Sequence, residues 1–137
     1  MNCIFCEIIQ GKRRGHFIYE DETHVGFLDR YPIDYGHSLF LPRVHFEKVT
    51  DMTPDAVGTL FSKIPKIAKA IVKITNADAF SMAQNNGRAA KQIVPHVHVH
   101  IIPRFNDKET VWTKRDIGKD DELKILAEKI RNCISIA

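Results

Sequence analysis

Apolar positions change their period several times along the 137 residues. From Thr53 onward they recur in steps of three and four, at Val57, Leu60, Phe61, Ile64, Ile67, Ala68, Ile71 and Ile74. That spacing lines one face of an α-helix and predicts a long amphipathic helix running to about Asn76. Thr53 opens it as an N-cap, with Pro54 at the first helical position, where the missing N–H costs nothing. Pro65 falls inside the same stretch. Its ring crowds the carbonyl four residues back, which predicts a bend or a break there. Helical spacing returns from Asp120 to Ile134 through Leu123, Leu126, Ala127 and Ile130. Residues 3–10 read as a short helical turn ended by Gly11.

Between these segments the apolar runs are short. Phe17–Glu20 and His24–Leu28 flank Asp21-Glu22-Thr23, the pattern of a β-hairpin. Asp29 to Gly36 carries Pro32 and Gly36 and reads as a loop. Ser38–Leu41 is a strand stopped by Pro42. Ala79–Gln84 leads into the turn residues Asn85-Asn86-Gly87, Val94–Pro103 is a further strand, and residues 104–118 are irregular. Hairpin strands beside two helical segments predict an α+β fold: an antiparallel β-sheet with one long helix and a C-terminal helix, in a single domain over residues 1–137.

Composition narrows the setting. A hydrophobic share of 44% with 27% charged residues excludes wholesale disorder. The net charge of +3 implies neither a nucleic-acid nor a membrane partner. No apolar run approaches the roughly 18 residues of a membrane span. Three cysteines are too few, and odd in number, for a secreted disulfide framework. Cys3, Cys6 and Glu7 leave no room for a signal-peptide apolar core. The expectation is a soluble cytoplasmic protein. In a reducing compartment Cys3-x-x-Cys6 points to metal or redox chemistry, and the absence of a preceding strand weakens the redox reading.

The most informative stretch is His96-Val97-His98-Val99-His100-Ile101-Ile102. Strand side chains alternate, so the three imidazoles share one face while Val97, Val99 and Ile101 enter the other. Neighbouring imidazoles repel one another when protonated. The cluster therefore favours neutral rings near pH 7, suited to metal ligation or nucleophilic attack. Two readings stand: three histidines holding a catalytic zinc, or one histidine attacking phosphorus while its neighbours orient it and stabilise charge.

This stretch resembles the histidine triad family, whose pattern is His-φ-His-φ-His-φ-φ with φ apolar. Cys3-Ile4-Phe5-Cys6, Phe27-Leu28-Asp29, Gly36-His37-Ser38-Leu39, Pro42-Arg43-Val44-His45 and Gln84-Asn85-Asn86-Gly87 match in family order, over about residues 3–105. The resemblance implies a nucleotide hydrolase acting at the α-phosphate of purine ribonucleotides, as a nucleoside phosphoramidase or a dinucleoside polyphosphate hydrolase. It assigns His98 as the nucleophile, giving a covalent nucleotidyl-histidine that water then releases, with the His96 carbonyl holding the Nδ1 proton of His98. It gives His100 to a phosphate oxygen, Asp29 to the ribose hydroxyls, Asn85 to the phosphate, and Gln92 to the phosphate or the attacking water. Phe27 and Leu28, with Phe5 and Ile8, would flank the base. Two positions depart from the pattern. Ile93 stands where many members carry Ser or Thr, and Lys91 where many carry Gly.

In members with the cysteine pair, Cys3, Cys6, His45 and His96 resemble a structural zinc site. It is closed, so this metal ties the N-terminus to the core and activates no water. The family also implies a homodimer. Rival readings are a nucleotidyltransferase or phosphorylase using the same intermediate, a non-catalytic nucleotide-binding regulatory module, and a metallohydrolase with three histidine ligands. Gly11-Lys12 lacks the spacing of a phosphate-binding loop. Cys133 reads as a small buried residue and His16 and His24 as structural or surface residues. His37 is expected to pack under the sheet.

Overall fold

A computed structural model describes residues 3–113 and 117–135. In chain order the elements are α1 (Ile4–Ile9), β1 (Phe17–Glu20), β2 (His24–Leu28), β3 (Ser38–Pro42), α2 (Pro54–Ser62), α3 (Ile64–Thr75), β4 (Ala79–Ala83), β5 (Val99–Arg104) and α4 (Asp120–Ser135), with single 3₁₀ turns at Val49–Asp51 and Arg88–Ala90. The Thr53 hydroxyl caps α2 by accepting the Ala56 N–H at 3.1 Å. The expected long helix is two helices. Pro65 lies in the first turn of α3 and the chain breaks at Lys63, because a helix passing through Pro65 would lose a backbone bond and crowd the Phe61 carbonyl. Asn76 ends α3 in the left-handed conformation, at φ 58°.

The strands form one antiparallel sheet in the order β1-β2-β3-β5-β4. Phe17, Phe27, Leu39, His100 and Ala83 are successive partners in a single row across it. One face carries Phe40, Val99 and Ile101, and α2, α3 and α4 cover it with Leu60, Ile67, Ile71 and Ile130, all fully buried. Each such side chain contributes about 1.5–3 kcal/mol through burial. The other face carries Val25, Phe27, Leu39 and Leu41, over which α1 lays Phe5 and Ile8. This second face also bears the histidines.

The last predicted strand is shorter than its sequence pattern. Ladder pairing with β3 begins at Val99, because the His96 N–H turns back to Val94 O at 2.8 Å and the Val97 N–H goes to Phe46 O at 2.7 Å. Alternation of faces nevertheless holds from His96 to Ile102: Val97, Val99 and Ile101 join the helix-side core. Gly36 adopts φ +88°, and a Cβ there would sit 2.5 Å from Thr75 Cγ2 and 3.2 Å from Pro103 Cγ. That close packing sets the entry of β3 and the position of the next residue, His37. No helix among the described residues is long and apolar enough to cross a membrane.

Candidate active site and metal centre

Three rings on the open face stand in a defined proton order. His98 Nδ1 donates to the His96 carbonyl at 2.7 Å. A neutral His98 therefore keeps its lone pair on Nε2. The His98 and His100 ring centroids are 4.9 Å apart, and Phe5 meets His98 edge-on at 4.9 Å. The backbone N–H of Ile33 donates to His37 Nδ1 at 2.9 Å. The proton of a neutral His37 then lies on Nε2, which is 2.9 Å from His100 Nδ1 and donates to it. That leaves His100 with its N–H on Nε2. His37 thus departs from the expectation of packing under the sheet. It is buried on the histidine face, with Asp29 Oδ2 3.6 Å from its Nε2.

These rings border a cavity of 260 Å³ that Phe5, Ile8 and Phe27 wall with apolar surface and that Asp29 borders. Asp29 is buried, and its Oδ1 accepts the Tyr31 N–H at 2.9 Å. Phe27 and Leu28 do not share a role. Adjacent strand residues face opposite ways, so Phe27 faces the site while Leu28 packs into the helix-side core and only borders the cavity. Beyond His100 the groove opens into a second hollow of 530 Å³, bordered by Asn85, Lys91, Ile93 and Trp112. Asn85 stands there, apart from the first cavity. Gln92 stands in neither. Its side chain is buried, with Nε2 donating to Glu47 O at 2.6 Å and Oε1 accepting the Gly87 N–H at 2.7 Å. In the structure Gln92 braces its loop, with one backbone partner at each end of its amide. Lys91 borders both hollows from a left-handed backbone position, φ 68°.

Cys3, Cys6, His45 and His96 bring one ligand atom each within 4.8 Å of one another. His96 Nε2 donates to Pro42 O at 2.8 Å, which turns the Nδ1 lone pair toward the cysteines. His96 Nδ1 lies 3.5 Å from both Cys3 Sγ and Cys6 Sγ, and His45 Nδ1 lies 3.4 Å from Cys6 Sγ and 3.2 Å from His96 Nδ1. Bond lengths of about 2.0–2.3 Å to zinc give tetrahedral edges of about 3.3–3.8 Å, so the donor set fits this ion in both chemistry and size. Burial, then the His45 and His98 rings, pushes His96 down to about 4, which keeps it a neutral ligand. Burial and the neighbouring Cys3 push the Cys6 thiol up to about 11. A bound cation reverses that shift by favouring the thiolate.

Fold and site together define a class: an antiparallel α+β protein carrying a histidine triad over a nucleotide-sized cavity. The family model for the HIT domain matches residues 10–107, and the chain belongs to this family. It is 36% identical over 134 residues to adenylylsulfatase HINT3 of Arabidopsis thaliana, covering 97% of this chain and 68% of that protein. It is 34% identical over 137 residues to adenosine 5'-monophosphoramidase hnt1 of Schizosaccharomyces pombe, covering 98% and 99% of the two chains. The crystal structure of a Zn-bound histidine triad family protein from Mycobacterium smegmatis superposes with a TM-score of 0.86 at 33% identity, covering 99% of this chain and 95% of that one.

Proposed function

We propose that this chain hydrolyses purine ribonucleotide derivatives at the α-phosphorus through a nucleotidyl-histidine intermediate, with nucleoside phosphoramidates as the leading substrate class. The observation that carries this reading is the 2.7 Å bond from His98 Nδ1 to the His96 carbonyl, which leaves Nε2 as the nucleophilic nitrogen of a neutral ring. The names of the Arabidopsis and fission-yeast relatives, an adenylylsulfatase and an adenosine 5'-monophosphoramidase, support it.

The residues then divide the work. Phe5, Ile8 and Phe27 hold the base, and Asp29 accepts from the ribose hydroxyls. His98 Nε2 attacks phosphorus; the N–P bond forms as the bond to the leaving group breaks, an amine taking a proton from solvent water as it leaves and an oxyanion needing none, and the leaving group departs toward the second hollow. His100 donates its Nε2–H to a phosphate oxygen, where charge is stabilised in the transition state. Water then attacks phosphorus and loses a proton to solvent, the N–P bond breaks to return neutral His98, and the monophosphate leaves. A covalent intermediate splits one difficult displacement into two easier ones.

Cys3, Cys6, His45 and His96 would hold a structural zinc, which supplies a closed cross-link between the N-terminus and the core. The tetrahedral edge lengths and the Zn-bound mycobacterial neighbour support this. Two thiolate ligands suit a reducing compartment, so we place the chain in the cytoplasm. It acts as a homodimer. β4 is an outer strand whose Phe80 and Met82 are 43% and 42% exposed, and Phe80 borders a groove against Pro65, Lys69 and Val72 of α3. An exposed apolar edge strand is a template for pairing with another edge, and two-fold symmetry pairs it with itself.

The test is mass spectrometry of protein quenched during turnover of an adenosine phosphoramidate. An adduct of one nucleoside monophosphate should map to the peptide containing His98. A different adducted residue, or steady turnover by His98→Gly, would sink the mechanism.

A further inference from the structure

The chemistry above leaves one polar cluster of the cavity without a task. Arg14 and His16, between α1 and β1, border the nucleotide cavity. Asp120, the first residue of α4, binds both. Arg14 Nη1 donates to its Oδ2 at 3.0 Å, and His16 Nε2 lies 3.2 Å from its Oδ1. Arg30 Nη2 lies 3.6 Å from the same Oδ1, and the Gly118 N–H donates to Arg30 O at 2.7 Å. The approach to α4 is thereby joined to the loop that carries Asp29.

The sheet register locates this cluster relative to the nucleophile. His100, Leu39, Phe27 and Phe17 lie in one row over β5, β3, β2 and β1. Three strand spacings of about 4.8 Å set Phe17 about 14 Å from His100. His16 O accepts the Leu28 N–H at 3.0 Å, which places residue 16 abreast of the segment that carries Phe27 and Asp29. A nucleotide with its phosphorus at His98 and its ribose at Asp29 lays its base on Phe27. The outer edge of that base then points to β1 and to residues 14–16.

The donor inventory decides which edge suits that wall. A guanidinium has five N–H donors and no acceptor. Arg14 directs one nitrogen to Asp120 and keeps the rest of its fork. A paired fork answers two adjacent acceptors, the N7 and O6 of a 6-oxopurine, whereas adenine places an amino donor at position 6. We propose that Arg14, oriented by Asp120, is a specificity residue that selects 6-oxopurine ribonucleotides (guanine or hypoxanthine) over adenine. This rests on the reading of the cavity as a nucleotide site.

Calorimetric titration with GMP, IMP and AMP tests it without turnover. The unaltered chain should bind GMP and IMP about fivefold or more tightly than AMP, the low end of what one paired contact gives. Arg14→Ala should bring both ratios close to one, and Asp120→Asn should lower them in the same direction. AMP binding as tight as that of GMP and IMP, or ratios that survive Arg14→Ala, would overturn the inference. Discrimination without hydrolysis of any phosphoramidate defeats the hydrolase reading alone. Hydrolysis with equal affinity for all three bases defeats this inference alone.

Discussion

His37 fixes which nitrogen of His100 carries a proton. Without the donor at His37 Nε2, His100 Nδ1 is left to take up a proton of its own, and the Nε2–H proposed to meet phosphate is no longer specified. His37→Phe should therefore lower kcat by about tenfold or more, since a positioned proton donor contributes at least that much, with little change in KM. His37→Gln retains an N–H for His100 and should recover part of the loss. A mere packing role would instead raise KM or lower stability, and Phe would then serve at least as well as Gln. The sequence did contain this residue's face. Residues 37, 39 and 41 share parity, and Leu39 and Leu41 line the histidine side of β3. Reading the Gly36 loop as ending short of the strand hid that signal. Gln92 shows the opposite case. The family resemblance gives it to the phosphate or the attacking water, and nothing local in the sequence shows that both ends of its amide meet backbone groups.

At the scale of elements, α1 has six residues and cannot persist as an isolated helix. The cysteine–histidine cluster and the packing of Phe5 and Ile8 hold it in place. Purified chain should carry about one zinc per molecule, and Cys3→Ser should lose most of it and melt about 5 °C or more lower, because metal binding is coupled to folding. Equal zinc in the two proteins would remove Cys3 from the ligand set.

A second tie joins the break between α2 and α3 to the first hairpin. Lys63 Nζ donates to Asp21 Oδ2 at 2.7 Å, and Tyr19 Oη donates to the same oxygen at 2.6 Å. Burial works against ionisation of Asp21, but the bonds from Lys63, Tyr19 and two backbone amides outweigh it and hold the carboxyl well below its usual range. A depressed carboxyl pKa stabilises the fold above the unfolded value of 3.8, and that contribution fades as pH falls below it. Lys63→Met should thus cost about 1–2 kcal/mol at pH 7 by denaturant unfolding, with a smaller difference near pH 3. A cost independent of pH would mean that the lysine acts through packing alone. Pro65 made the helix break legible in the sequence. The salt bridge was not, because Asp21 and Lys63 lie 42 residues apart and no local period connects them.

For the whole molecule, the proposed dimer rests on the outer strand β4. Light scattering should find a dimer, and Phe80→Asp should shift it toward monomer while the far-UV spectrum is retained. A monomeric starting chain would dismiss the edge pairing. At the same scale, the row from His100 to Phe17 is built from backbone partners, and a ladder's spacing does not depend on which side chains it bears. On the proposed reading, the two ends of the substrate are therefore read by separable parts. Exchanging Arg14 changes which base is kept and leaves the phosphorus where it was. Under the same proposed reading, exchanging Ile93 or Trp112, which border the second hollow, should change which leaving group is accepted without moving the base. Such a sheet lets base choice and leaving-group choice drift independently between related chains, with the reach from nucleophile to base wall inherited unchanged.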